Sequence, residues 1–223
     1  MVGAQKLQDT DISINPTEVG LQSILTRRML DRAPAGFMEL AIMEHKNAWK
    51  EKNEPDLLGL FSGFSVVIGA AGSALILGEV GAGSMRLRGA TEPGPKPHVL
   101  VLHPYHIWSV FGGVVPLTSG AVAAGGGGAV SDEVLRENFV TRLLGMDLFE
   151  SALISIDSSD DGYGVAMSKA AIILIVTHEG DIDPEWNASL RGWELNFVGE
   201  YGYAEWTDSY GVALLGDLAV PTT

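Results

Sequence analysis

No cysteine occurs among the 223 residues, which excludes disulfides, thiolate zinc sites, iron–sulfur clusters and a cysteine nucleophile together. Positive charge is scarce. The 14 Lys and Arg stand against 28 Asp and Glu, a net charge of −14, which is the wrong sign for a protein that neutralises phosphates. Charged residues make up only 19% and apolar residues 46%, a balance that excludes a disordered chain and calls for a packed core. Long hydrophobic runs are missing too. Residues 63–78 are uncharged but shorter than the roughly 20 residues a spanning helix needs, and residues 110–130 contain Pro116 and seven glycines. Residues 1–11 carry Lys6, Asp9 and Asp11 and lack the apolar core of a secretory signal, so the chain is expected to stay in the cytoplasm of the cell that makes it. Neither a G-x-S-x-G elbow nor an S-x-x-K motif is present.

What is present is unevenly placed. Residues 1–100 hold 10 basic and 11 acidic side chains, so residues 101–223 hold 4 and 17, a net of −13 for the C-terminal part. A field of that sign repels DNA and keeps a protein soluble at high local concentration.

The apolar residues Ile12, Ile14, Val19 and Leu21 follow a loose period of two broken by Pro16, which predicts an exposed or edge strand. From Ala35 the spacing of Met38, Ala41, Ile42, His45, Ala48 and Trp49 predicts a long amphipathic helix, with Pro55 as a kink or restart. Residues 63–89 are rich in Gly and Ala without clear period, and the proline-rich 92–97 reads as a surface connection. Val99 to Leu102 reads as a buried strand, ended by His103-Pro104. Gly125 to Gly128 reads as a loop. Ser131 then reads as the cap of a helix whose apolar face is Val134, Leu135, Phe139 and Leu143. Residues 147–157 and 165–177 are expected to pair as a hairpin around the turn 158–162. Trp193, Leu195, Phe197, Tyr201 and Tyr203 alternate with Glu194, Asn196, Glu200 and Gly202, the clearest half-buried strand in the chain. A turn at 208–211 leads into a last strand at 212–215.

Several constellations invite a chemical reading. Asp157, Ser159, Asp161 and Gly162 open as a calcium loop would, but its twelfth position is Ser168 rather than Glu, so a polar turn is the better reading. His98, His103 and His106 lie within nine residues, yet no carboxylate is close in sequence to complete a metal site, and packing at a strand-to-helix junction is preferred. The glycine run 125–128 lacks the Lys and Ser/Thr of a phosphate loop, and Asp132 and Glu133 would repel a phosphate. His178-Glu179 starts a zinc-peptidase motif, but residue 182 is Ile instead of the second His. Asn187-Ala188-Ser189 fits a glycosylation acceptor only by chance. No catalytic, cofactor-binding or metal-binding residues are therefore assigned, and no enzyme activity is expected.

Six stretches, in this order, resemble the major capsid proteins of tailed bacteriophages, which share the Hong Kong 97 fold. They are Asn15-Pro16-Thr17-Glu18-Val19-Gly20-Leu21-Gln22, Asp56-Leu57-Leu58-Gly59-Leu60-Phe61, Thr91-Glu92-Pro93-Gly94-Pro95, Leu102-His103-Pro104-Tyr105, Met167-Ser168-Lys169-Ala170, and the aromatic strand leading to Tyr210-Gly211-Val212. The resemblance implies an α+β subunit with a long peripheral helix, an antiparallel peripheral sheet and an axial domain. It implies a strand-like N-terminal arm over 1–34, a peripheral region over 35–71 and 158–223, and an axial region over 72–157. Such a subunit assembles with itself into the pentamers and hexamers of an icosahedral shell around phage DNA, without sequence-specific contact and without a membrane. Scaffold, portal and decoration proteins are the other implied partners, and the virion is the implied location. Family members carry a longer arm and extended loop ahead of the Asn-Pro-Thr-Glu stretch, so both look shortened or lost here. The alternatives are an encapsulin-like nanocompartment shell, and a small decoration module holding a metal at His98, His103, His106 or at Asp157 to Asp161. Self-association is expected to rest mainly on apolar and hydrogen-bonded interfaces, with salt secondary.

Overall fold

The computed structural model describes residues 12–112 and 142–221. In chain order its elements are β1 (Thr17–Thr26), α1 (Arg27–Arg32), α2 (Phe37–Leu58), β2 (Val67–Gly69), α3 (Leu77–Gly89), β3 (His98–Leu102), α4 (Pro104–Gly112), β4 (Arg142–Leu143), β5 (Met146–Glu150), β6 (Asp161–Ser168), β7 (Ile172–Asn187), β8 (Gly192–Glu205) and β9 (Gly211–Asp217). By internal contacts the chain divides into two units, one of residues up to 49 with 173–206, the other of 50–172 with 207 onward. These boundaries fall at other residues than 1–34, 35–71 with 158–223, and 72–157, the regions the resemblance implies.

The first unit is built on a three-stranded sheet in the order β1-β8-β7. β1 runs antiparallel to β8 from Thr17↔Tyr201 to Thr26↔Gly192, so the predicted edge strand is found, displaced to begin just after Pro16. Thr26 ends the strand and caps α1, its hydroxyl accepting from the Met29 N–H at 3.3 Å. The odd positions of β8 face inward as the alternation predicts: Leu195, Phe197 and Tyr201 are buried, and Val198 between them is exposed. Trp49 of α2 covers that face, its ring centroid 5.0 Å from those of both Phe197 and Tyr201. Gly199 makes the fit possible, because a Cβ there would stand 2.4 Å from the Trp49 ring. Pro55 does not interrupt α2. It lies three residues before the helix ends, so the bond its missing N–H forfeits falls in the last turn and the helix runs through it.

The second unit holds a mixed sheet in the order β2-β9-β6-β3-β5-β4. Apolar cores lie on both of its faces. Leu100, Leu102, Ala166, Val212 and Leu214 point into one, with Leu75, Val80, Leu87 and Val110. Val165 and Ala213 point into the other, with Leu58, Phe61, Phe64 and Ile154. Burial on two sides explains why Val99 to Leu102 reads as a continuous apolar run rather than an alternating one.

Three expectations are corrected. The segments 147–157 and 165–177 do not pair, because β3 lies between β5 and β6, parallel to the first and antiparallel to the second. The run 165–177 is also not one strand. It breaks at Ser168, where the Ala171 N–H bonds the Ser168 carbonyl at 3.0 Å, and β7 starts in the other sheet. Leu143 belongs to a strand rather than a helix: it pairs with Met146 across a tight turn in which Leu144 and Gly145 take φ values of 51° and 78°. The rest of the expected helix from Ser131 and the loop 125–128 lie outside the described residues.

Candidate functional site

His98, His103 and His106 sit where strand β3 hands over to α4, and all three are buried. His98 Nε2 donates to the Gly94 carbonyl at 3.1 Å and His106 Nε2 to the Gly216 carbonyl at 3.2 Å. His103 Nδ1 accepts from the Tyr105 N–H at 3.1 Å, and its ring meets that of Tyr105 edge-on. The rings thus tie loops and helix to the sheet, as the packing reading expects. Burial lowers the pKa of His106 and of His103, so both favour the neutral form. The Nδ1 atoms of His98 and His106 face no partner, but among the described residues no three His, Asp or Glu side chains converge as metal ligands.

Asp157 and Asp161 are likewise spent on the backbone. Asp157 Oδ1 accepts from the N–H groups of Ser159 and Asp161 at 2.7 and 2.9 Å, and Asp161 Oδ1 accepts from Gly72 N–H at 2.7 Å. This is an Asx-type turn that fastens a neighbouring loop, the polar-turn reading of the calcium-like stretch. His178 and Glu179 are exposed on β7. Asn187 ends β7, where its Oδ1 accepts from Ser189 and Leu190 and its amide donates to Glu194 Oε1 at 2.7 Å.

The first unit also carries two charged surfaces that no short motif marks. On β7, Gly180 lies against the Phe197 ring and Trp186 against Trp193, while Asn187 bonds Glu194 on the opposite side. The odd positions of β7 therefore share a face with the even positions of β8, and through Glu18↔Glu200 with the even positions of β1. That face carries Glu179, Asp181, Asp183, Glu185, Glu194, Glu200 and Glu18, with no Lys or Arg among its strand positions. At one end of the same unit, a surface pocket of about 470 Å³ is lined by Thr26, Arg27, Arg28, Asp31, Arg32, Leu190 and Arg191. All four arginines are exposed. The alternating acids 179, 181, 183 and 185 are a signal the sequence offered; the arginine pocket is not, since Arg191 joins it only through the β8–β1 pairing.

Large apolar side chains also reach solvent from each unit. In the second unit Trp108 is 64% and Phe149 57% exposed, and in the first Met43 is 52% exposed. Among the described residues no helix is long and apolar enough to cross a membrane.

No protein-family model matches the sequence. No curated protein matches it either. Solved structures do. A structure from Mycobacterium phage Che8 superposes with a TM-score of 0.75 at 15% identity, over 96% of this chain and 76% of that one. The capsid of cyanophage P-SCSP1u gives 0.72 at 9% identity, over 96% and 79%. The SrpI encapsulin of Synechococcus elongatus PCC 7942 gives 0.63 at 12% identity, over 94% and 76%. The α+β fold expected from the resemblance is the fold found.

Proposed function

We propose that this chain, which has the Hong Kong 97 fold of tailed-phage capsid proteins, is a major capsid protein that assembles with itself into a closed icosahedral shell. The carrying observation is the superposition on a phage capsid over 96% of this chain and 79% of that one. The chemistry of the interior agrees. Buried His98, His106 and Asp161 bond backbone groups of their own chain, which serves rigidity rather than turnover. The protein is on this reading no enzyme and needs no cofactor. Arm 1–34, peripheral region 35–71 with 158–223 and axial region 72–157 describe its roles around the symmetry axes of pentamers and hexamers. The acidic charge suits a container that encloses DNA without adhering to it. Scaffold, portal and decoration proteins are its further partners, and the virion is its location.

A nanocompartment shell is the second reading, favoured by the encapsulin superposition. Electron microscopy of particles purified from expressing cells, together with phage-infected material, separates the two. Closed shells that hold DNA in the phage are the expected result, shells with a protein cargo and no DNA would favour the second reading, and no particles under any condition would overturn both.

A further inference from the structure

We propose that the arginine pocket of one copy receives the acidic face of β7 of a second copy, so that the first units of neighbouring subunits join head to tail. The inference rests on the shell reading and names one of its contacts.

Both surfaces belong to the first unit and each lacks its complement within that unit. Among the described residues, none of Arg27, Arg28, Arg32 and Arg191 forms an ion pair. Asp31 is the sole carboxylate lining the pocket. Arg191 is held in place by its backbone, where its carbonyl accepts from the Arg27 N–H at 2.9 Å. That bond draws Arg191 of the β7–β8 turn up to the three arginines of α1. Four guanidinium groups around one concavity repel each other, and an anionic surface relieves that repulsion.

The acidic face has matching geometry. Successive carboxylates on one side of a strand stand about 6.7 Å apart, twice the rise per residue. Arg28 and Arg32 are four residues apart on α1, so their side chains emerge about 6 Å apart on one helix face. Two neighbouring carboxylates of Glu179, Asp181, Asp183 and Glu185 can therefore meet two arginines at once, each as a planar fork to a carboxylate. β7 is also an edge strand of its sheet, which leaves its flank open to another chain. Charge on an edge strand ordinarily discourages pairing between edges. Here all four carboxylates lie on the sheet face, where they repel an identical face but fit an arginine pocket.

A pocket on one surface that binds a different surface of the next copy is a heterologous contact, which closes into a ring when the rotation permits. Such a contact selects partner and register, while exposed apolar side chains supply affinity. Nucleic acid is the other polyanion an arginine pocket could take. A chain carrying −14 opposes it, whereas the acidic strand is present in every copy.

The test is charge exchange on the full chain. One variant carries Arg28→Glu with Arg32→Glu, a second carries Asp181→Lys with Asp183→Lys, and a third carries all four changes. Circular dichroism verifies that each is folded, which is expected because the changed residues are exposed. Self-association is read by sedimentation velocity. Each pair of changes should weaken association at least tenfold, and the fourfold variant should regain most of it. Unmodified chain should weaken between 0.05 and 0.5 M NaCl, because exposed pairs are screened over a Debye length of about 4 Å at the higher salt. Association of the twofold variants at the unmodified level would overturn the inference while shells still form and the capsid reading stands. Loss of heparin or DNA binding alone in the arginine variant, with self-association intact, would overturn it in the same way. A fourfold variant that stays dissociated would overturn the pairing of these two surfaces. An unmodified chain that never associates would overturn the inference and the capsid reading together.

Discussion

His106 shows how a single buried side chain couples the stability of this protein to pH. It is completely buried, its Nε2 donates to Gly216, and its Nδ1 has no donor or acceptor beside it. Burial lowers its pKa from 6.5, His103 nearby adds to the lowering, and the Gly216 hydrogen bond and Asp217 oppose it. The unfolded chain takes up a proton below about pH 6.5 while the folded chain still excludes it. Stability from this group is therefore full above that pH and is lost progressively as pH falls towards the lowered folded value. Thermal unfolding followed from pH 7.5 to 5 should show the midpoint falling, and His106→Gln should flatten the part of the slope below 6.5. An unchanged slope in the variant would remove His106 from the explanation. The sequence displayed three neighbouring histidines, and a packing role was legible because no carboxylate accompanied them. Which backbone carbonyls they meet was not, since Gly216 lies 110 positions from His106.

At the level of elements, local pattern spoke clearly where one face is wet and poorly where both are dry. The aromatic alternation of β8 and the spacing of α2 are visible because solvent marks their outer faces. α3 was missed. Its Gly78, Gly81 and Gly83 weaken helix propensity, yet Gly83 and Ser84 are buried, and small residues there let the helix lie close over Val212, Leu214 and Ala166. The false hairpin of 147–157 with 165–177 had the same origin, because nothing local announces that β3 will insert between two strands that follow it. Docking of α2 on its sheet gives the element-scale prediction. Gly199→Val places its side chain inside the Trp49 ring, and overpacking of this kind costs about 1–3 kcal/mol. Trp49→Ala should itself be destabilising, since it removes the ring from Phe197 and Tyr201. Combined with Gly199→Val it should cost less than the sum of the two, because the steric conflict has been removed. Urea unfolding of the four proteins measures this, and strict additivity would mean that Trp49 and Gly199 do not fit together as described.

For the whole molecule, the superposition and the exposed apolar surface carry the functional reading together. A chain without thiols and without a catalytic motif presents large apolar side chains to solvent, among them Trp108, Phe149 and Met43, and superposes along nearly its full length on a capsid protein. Surfaces of that kind are ordinarily completed by other chains. The family resemblance was legible in the order of short stretches, whereas the charged face and pocket emerged only once β1, β7 and β8 were placed side by side. Sedimentation velocity of the purified full chain, from low to high concentration, is the most direct test of self-assembly. A boundary of very large, uniform particles beside small capsomers or subunits, with little material between, is the predicted result. A single slow boundary of monomer at every concentration and salt would contradict it.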